Sequence, residues 1–294
     1  MNLFFVFNPK AGKEKIKQKL GDIIELFSNN GHTVTVHATT CQGDACEKVK
    51  NLPDGVYDRI IVAGGDGTLD EVVHGMLQRE NKIPVGYIPA GSTNDYASSL
   101  GIPSRISESA KIAINDHIFA SDVGTFGEKS FVYVAAFGAF TEASYATSHE
   151  MKKKLGYSAY IVAGIKSLGS IRSYKVKVTT DSLTVEDSFI YGMVTNSVSV
   201  GGFKGIVGKQ VQLDDGLFEV TLVRKPKNPN EMNSIISGLL NKEHKTDMIY
   251  SFTTDKIKFE SEESISWTLD GEFGGEEKEV EIINRKNEFE IAVK

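Results

Sequence analysis

A short apolar run that ends in a glycine-rich turn constrains this chain more than any other stretch. Residues 60–63 are apolar and mostly β-branched, which is typical of a buried strand. Gly-Gly-Asp-Gly-Thr follows at residues 64–68, and apolar residues at helical spacing continue to residue 77. The segment therefore predicts a strand, a tight turn and the start of a helix, with Thr68 as the N-cap.

The predicted turn at residues 64–68 is suited to binding an anion. Its glycines let backbone N–H groups approach a ligand, and a helix N-terminus favours negative charge. Asp66 fits beside a phosphate if a divalent cation bridges the two. An ordinary strand-to-helix turn is the structural alternative, and the turn is neither a G-x-G-x-x-G nor a Walker A sequence.

Two more strands of the first half lead through loops into helices. Residues 3–7 are followed by Asn-Pro-Lys-Ala-Gly at 8–12, and residues 84–88 by a polar loop at 89–96. Strands and helices alternate to about residue 115, which predicts a doubly wound α/β domain. Ligands of such sheets bind at the carboxyl edge, so we expect these loops to meet there.

Strands dominate the second half of the sequence. This pattern predicts an antiparallel β-sandwich domain, with helices near residues 152–167 and 230–240. We place the α/β domain at 1–123 and the β-sandwich domain at 124–284, with 285–294 returning to the first. The predicted strands are 120–123, 131–137, 174–180, 189–195, 217–223, 256–260, 264–269, 280–283 and 288–293.

Composition excludes several classes of protein. A net charge of −6 argues against a nucleic-acid binder. No apolar stretch approaches the ~20 residues that cross a bilayer, and residues 1–7 predict a strand and not a signal peptide. Cys41 and Cys46 are interpreted as reduced thiols, which favours a cytoplasmic protein.

Five short motifs together resemble one family. They are residues 8–12, 64–71 and 91–95, Leu-Asp-Asp-Gly at 213–216, and Leu-Asp-Gly-Glu at 269–272. In this order they are similar to the diacylglycerol kinase catalytic superfamily, above all its soluble bacterial lipid kinases. The resemblance implies transfer of phosphate from ATP to a lipid hydroxyl, with ATP between an NAD-kinase-like α/β domain and a β-sandwich domain.

The resemblance also implies a nucleotide site in the first domain. Lys10 and Ala11 stand where hydroxyl residues are common in the family, and Asp70 where many members carry Asn, but no acid or glycine is lost. The residues that this comparison assigns to the nucleotide are Asn8, Pro9, Lys10, Ala11, Gly12, Thr39, Gly65, Asp66, Gly67, Thr68, Leu69, Asp70, Glu71 and Ser92.

Two acids flank Gly271 at the end of a predicted strand. Residues two apart in an extended segment face the same side, so we expect Asp270 and Glu272 to point into one cleft. The resemblance makes Glu272 the proton acceptor, gives Asp270 a metal-holding or tuning role, and assigns catalytic Mg²⁺ to Asp66. A solvated turn with two surface acids is the alternative.

A second metal site is implied near residue 215. Asp-Gly at 215–216 is commonly a hairpin turn, and the resemblance adds a structural Mg²⁺ held by Asp215 and the main-chain oxygens of Gln212 and Leu217. Asp95 and Asp122 are further candidates for a network of carboxylates, water and metal.

The partners follow from a lipid substrate. Residues 151–168 are first basic and then apolar, which fits peripheral contact with the inner face of the membrane as well as a core helix. The family resemblance also implies that the protein forms a homodimer. Other acceptors (sphingoid bases, ceramides, phosphatidylglycerol, undecaprenol), another kinase or a catalytically silent regulator are alternatives, although the retained acids argue against the last.

Overall fold

The computed structural model describes residues 1–91, 94–139, 172–198, 200, 211–241 and 246–294. The chain forms two compact units. The first comprises Met1–Val123, Leu213–Asp215 and Arg285–Lys294. The second comprises Gly124–Gln212 and Gly216–Asn284.

The first unit is built on a parallel sheet. Strands β1 (Asn2–Phe7), β2 (Thr33–Ala38), β3 (Arg59–Gly64) and β4 (Val85–Pro89) lie in the order β2-β1-β3-β4. Strands β3 and β4 are buried along their whole length and β2 is the exposed edge. Burial on both faces explains why the β3 sequence is apolar without alternation.

Helices cover this sheet. They are α1 (Lys15–Asn29), α2 (Asp44–Lys50), α3 (Asp66–Leu77), α4 (Asp95–Ser99) and α5 (Ile106–Ala113), with a 3₁₀ turn at Ala11–Glu14. The apolar stripe of α1 packs on β1, where the rings of Phe5 and Phe27 meet edge to face at 5.9 Å. The predicted doubly wound α/β fold is confirmed.

The second unit is rich in antiparallel strands. The strand pairs described within it are all antiparallel, and their rings pack into a core in which Trp267 touches Phe137 and Phe259. The elements of this half of the chain are β5 (Ile118–Phe126), β6 (Lys129–Phe131), β7 (Val134–Gly138), β8 (Tyr174–Thr179), β9 (Thr184–Thr195), β10 (Phe218–Arg224), α6 (Pro229–Asn241), β11 (Ile249–Thr254), β12 (Lys256–Leu269) and β13 (Glu272–Ala292). Strand β5 up to Val123 and strand β13 from Arg285 onward belong to the first unit. The predicted strand-rich second half is confirmed.

Several details differ from the sequence prediction. The predicted strand 131–137 is two strands, β6 and β7, and the predicted strands 280–283 and 288–293 both lie within β13. The predicted strands 256–260 and 264–269 are one strand, β12, because the polar residues between them form an irregularity in the pairing with β13 and not a break. Strand β11 was not predicted. The predicted helix near 152–167 lies outside the described residues, and within the described part of the chain every helix is too short or too polar to span a bilayer.

Candidate active site

Three loops meet at the carboxyl edge of the parallel sheet. Gly12, in the loop after β1, has φ +58°, and a Cβ there would lie 2.4 Å from the carbonyl oxygen of Ala90. A Cβ on Gly91, after β4, would lie 2.6 Å from Cα of Gly65, after β3. Glycine is required at these positions because any side chain would push the loops apart.

Polar side chains of the predicted site line the same edge. Asn8 accepts the backbone N–H of Lys10 at 2.9 Å through Oδ1, and its Nδ2 lies 3.5 Å from Oγ1 of Thr68. Thr39 follows β2 and donates its N–H to the carbonyl of Phe7 at 2.9 Å. The ends of β1, β2 and β3 therefore carry hydrogen-bonding groups side by side, in the part of the sheet where open α/β folds bind ligands.

Helix α3 begins at Asp66, so the prediction of Thr68 as N-cap is wrong. The N-cap is Gly65, whose carbonyl accepts the N–H groups of Thr68 and Leu69 at 3.1 and 3.2 Å. A Cβ on Gly65 would lie 3.3 Å from Cα of Gly91, so this N-cap lies where two loops come close together. Gly65 has no side chain with which to cap the helix, which leaves this end to other acceptors.

Asp66 lies at the start of α3 and is only 8% exposed. Its carboxylate accepts the backbone N–H groups of Asp95 and Tyr96 at 3.1 and 3.4 Å. Asp95 is itself buried, and burial together with these two carboxylates raises the pKa of Tyr87 well above its ordinary value. The hydroxyl of Tyr87 donates to the carbonyl of Gly64 at 3.3 Å, so two acids and a neutral phenol share this region.

Other predicted nucleotide contacts have different surroundings. Leu69 is buried in the core, and the carboxylate of Glu71 accepts the N–H groups of Gly43 and Ala45 at 2.9 and 3.1 Å. Glu71 therefore holds the start of α2, a role that the sequence did not reveal. Ser92 lies outside the described residues.

Asp122 is fully buried in the first unit. Its Oδ1 accepts the N–H of Asn287 at 2.9 Å, and its own N–H donates to the carbonyl of Leu213 at 2.8 Å. The ammonium of Lys286 donates a hydrogen bond to the carbonyl of Asp215 at 3.4 Å. Asp122 thus joins residues 213–215 to residues 285–287, two segments that are far apart in sequence.

The other predicted metal ligands are divided between the units. Asp215 belongs to the first unit, whereas Gln212 and Leu217 belong to the second. Gly216 has φ +86°, as a tight turn after Asp215 requires. In the ranges that the structure describes, no three His, Cys, Asp or Glu residues gather where they would hold a metal ion.

Asp270 is an internal anchor of the second unit. It is 5% exposed and its carboxylate accepts the backbone N–H groups of Val132, Tyr133 and Val134 at 2.6–2.9 Å. Its backbone carbonyl accepts the hydroxyl of Tyr133 at 3.0 Å. These bonds fix the end of β12 against the start of β7.

The expectation that Asp270 and Glu272 face one side is wrong. Leu269 pairs with Glu272, so Asp270 and Gly271 form a two-residue hairpin turn with φ +49° and +89°. The segment is not extended, and it buries Asp270 while Glu272 stays exposed. Asp-Gly between two strands is the signal for such a turn, which the sequence analysis gave only as the alternative.

Two family models together match most of the chain. Residues 2–126 match the diacylglycerol kinase catalytic domain, and residues 134–283 match the YegS C-terminal NAD kinase beta sandwich-like domain. These matches cover the α/β half and the strand-rich half described above. The fold and its catalytic domain define a lipid kinase.

Individual relatives agree with this class. The diacylglycerol kinase of Bacillus subtilis (strain 168) is 34% identical over 272 residues, 92% of this chain and 89% of that protein. That of Staphylococcus carnosus (strain TM300) is 30% identical over 97% of this chain and 93% of its own. A solved diacylglycerol kinase structure from Bacillus anthracis str. Sterne has a TM-score of 0.83 at 26% identity, covering 100% of this chain and 97% of that one. The chain belongs to the bacterial diacylglycerol kinase family, which confirms the predicted resemblance.

Proposed function

We propose that the protein transfers the γ-phosphoryl group of ATP to the hydroxyl of diacylglycerol, giving phosphatidic acid and ADP. The bond from the hydroxyl oxygen to the γ-phosphorus forms, the bond from that phosphorus to the β–γ bridging oxygen breaks, and a base takes the hydroxyl proton. The observation that carries this proposal is the meeting of the Gly12, Gly65 and Gly91 loops beside the start of α3.

The first unit offers a cradle for the triphosphate. The first backbone N–H groups of α3, at Asp66 and Gly67, lie at the positive end of the helix dipole, where phosphate is favoured. The absence of side chains at Gly12, Gly65 and Gly91 lets the three loops come together beside these N–H groups. Asn8 and Thr39 lie on the same edge and supply polar groups.

The surroundings of Asp66 fit a magnesium ion that bridges to phosphate. The carboxylate of Asp66 lies at the first residue of α3, beside the loops of Gly65 and Gly91, where a cation that it binds also meets a phosphate at the helix N-terminus. Mg²⁺ in kinases is commonly held by one or two carboxylates, phosphates and water and not by a protein cage. When bound, the ion offsets charge on the transferring phosphate.

A second, structural Mg²⁺ is proposed at Asp215. A tight turn presents one carboxylate and neighbouring carbonyls, here those of Gln212 and Leu217, to a hard cation that keeps several waters. Buried Asp122, bound to the adjacent Leu213, extends this polar region. Asp215→Asn is expected to lower the midpoint of thermal unfolding in Mg²⁺ but not in EDTA, and equal shifts in both would contradict the proposal.

The second unit supplies the proposed base. Glu272 is an exposed carboxylate on a hairpin that Asp270 fixes, so Asp270 is a positioning residue here and Glu272 the proton acceptor. A general base contributes ~10²–10⁴-fold to the rate. Glu272→Gln is therefore expected to lose that factor.

The test is phosphate transfer from labelled ATP in Mg²⁺ to a panel of diacylglycerol, sphingosine, ceramide, phosphatidylglycerol and undecaprenol. We expect the wild type to form labelled phosphatidic acid. The rate of its formation by Glu272→Gln should be lower by ~10²-fold or more. Glu276→Gln, which changes another exposed acid of β13, is the matched control and should keep full activity. If a different lipid is labelled, that lipid and not diacylglycerol is the acceptor. If Glu272→Gln keeps full activity, Glu272 is not the base.

Two further parts of the proposal concern assembly. We propose peripheral contact with the inner face of the membrane, because the acceptor lies in a bilayer, and a homodimer, as the family resemblance implies. Sedimentation with lipid vesicles tests the first and light scattering after gel filtration tests the second. A protein that stays in the supernatant would refute the membrane contact. A protein that elutes as a monomer of 32.2 kDa would refute the homodimer.

A further inference from the structure

Phe273 exposes a large apolar side chain directly after the proposed base. It is 71% exposed, whereas the other exposed large apolar residues of the described chain, Val36 and Val56, are 40% and 43% exposed. A phenyl ring left in water does not gain the free energy that its burial would release. A single exposed apolar residue is common, so its surroundings decide whether it has a role.

The chain on both sides of Phe273 is held in place. On one side, the Asp270–Gly271 turn is fixed by the backbone bonds of Asp270. On the other side, Phe273 pairs with Thr268 and Gly275 with Trp267, which leaves Gly274 as the extra residue of a β-bulge.

The bulge is itself constrained. The ammonium of Lys129 donates to the carbonyl of Gly274 at 2.5 Å. A Cβ on Gly274 would lie 2.7 Å from Cγ of Leu269, so glycine is required there. Bulges are frequent beside active sites, where they redirect a side chain. The exposed position of Phe273 therefore belongs to a built tip and not to a loose loop.

The pairing also separates the two exposed side chains. Leu269 pairs with Glu272 and Thr268 with Phe273, and successive residues of a strand point to opposite faces. If the ring of Phe273 points into a lipid layer, the carboxylate of Glu272 points away from it. Their Cα atoms are about 3.8 Å apart, so the carboxylate then lies at the polar surface, where the hydroxyl of a diacylglycerol is found.

We propose that Phe273 inserts into the apolar part of the lipid layer and so brings Glu272 to the acceptor hydroxyl. This inference rests on the proposed function, which makes Glu272 the base. The contact is apolar and not electrostatic, because the strand beyond the tip carries Glu276, Glu277 and Glu279 against a single lysine, Lys278, and is net acidic. We therefore expect the insertion to be insensitive to salt, unlike docking through lysines.

Insertion is measured by fluorescence without any assay of activity. The chain has one tryptophan, Trp267, which is 1% exposed, so Phe273→Trp adds a reporter over a buried background. Vesicles of phosphatidylcholine and diacylglycerol with brominated acyl chains should quench the fluorescence of the tryptophan introduced by Phe273→Trp. The quenching should be equal at low and high salt. Val56→Trp, at another exposed apolar position, is the matched control. Equal quenching of the two variants would overturn the proposal.

Kinetics provides a second readout. Phe273→Ser is expected to raise KM for diacylglycerol in vesicles about 10- to 100-fold, the equivalent of losing the burial of one ring, with kcat on a short-chain soluble diacylglycerol unchanged. Phe273→Leu should restore most of the affinity. An unchanged KM for Phe273→Ser would refute the contact.

The two proposals fail separately. Quenching of Phe273→Trp together with no phosphorylation of diacylglycerol by the wild type would keep the lipid contact and reject the acceptor. Labelled phosphatidic acid together with no quenching would keep the acceptor and reject the contact.

Discussion

Glu71 and Arg79 hold opposite ends of helix α2. The carboxylate of Glu71, in α3, accepts the first N–H groups of α2, whereas the buried guanidinium of Arg79, just after α3, donates to the carbonyls of Val49, Lys50 and Leu52 at 3.2, 3.2 and 2.6 Å. Both ends of α2 are therefore fixed to the helix whose N-terminus is the proposed phosphate site. The loop that carries Thr39 leads directly into α2.

Removing the Glu71 carboxylate is expected to weaken nucleotide binding through this loop. Glu71→Ala leaves the N–H groups of Gly43 and Ala45 without that acceptor, which costs about 1–3 kcal/mol of unfolding free energy. KM for ATP should rise more than kcat falls. Urea unfolding and steady-state kinetics measure the two effects. Glu47→Ala, on the exposed face of α2, is the control, and equal behaviour of the two variants would contradict the role.

Gly12→Ala should separate the loops of the candidate site. The new Cβ would meet the carbonyl of Ala90, and a displacement of about 1 Å in a catalytic site costs about 10²-fold in kcat/KM. Gly31→Ala is a matched control, since Gly31 also has positive φ (+76°) but nothing within 4 Å of its Cβ position. Strain alone is shared by both variants, so a similar loss of activity in both would refute the importance of the contact.

Asp270 and Glu272 are expected to differ in their effect on stability. Asp270→Ala leaves the N–H groups of Val132, Tyr133 and Val134 without their carboxylate, which costs about 3 kcal/mol or more. Glu272→Gln changes an exposed group and should leave the unfolding midpoint unaltered. Thermal unfolding of both variants tests this, and a stable Asp270→Ala protein would show that the turn needs no anchor.

Stability should fall as the pH drops below neutral, because burial lowers the pKa of His74 beneath its ordinary 6.5. The unfolded chain then binds more protons than the folded one between the two pKa values, so unfolding becomes easier as pH falls. Burial also lowers the pKa of His32. His74→Gln should flatten the decline of the urea midpoint between about pH 7 and 5. If the urea midpoint of His74→Gln declines with pH as steeply as that of the wild type, groups other than His74 cause the decline.

The strong sequence signals were those in which several local preferences agree. An apolar run, adjacent glycines and a helical stripe all occur between Ile60 and Leu77, and the structure has a strand, a turn and a helix there. Thr68 was misassigned as N-cap because propensity favours hydroxyls, whereas the helix begins at Asp66 and its N-cap is Gly65, which Gly91 approaches closely. That approach involves a loop 26 positions away in the sequence and is not visible locally.

The acidic pair shows a second limit of sequence reasoning. Periodicity of two applies only to extended backbone, and the turn at Asp270 and Gly271 reverses the chain. The anchoring of Asp270 by residues near 133 depends on tertiary contacts, as does the exposure of Phe273. The residue types were visible in the sequence, but their burial was not.

The path of strand β13 has a consequence for how the protein is made. Residues 285–294 pair with β4 at Ile291 and Val85, and Val293 donates its N–H to the carbonyl of His117 at 2.9 Å. The ribosome translates these residues only after the entire second unit. The parallel sheet of the first unit therefore remains incomplete until residues 285–294 have been translated. We expect the nascent first unit to be most sensitive to proteases, and to bind chaperones most readily, before that point.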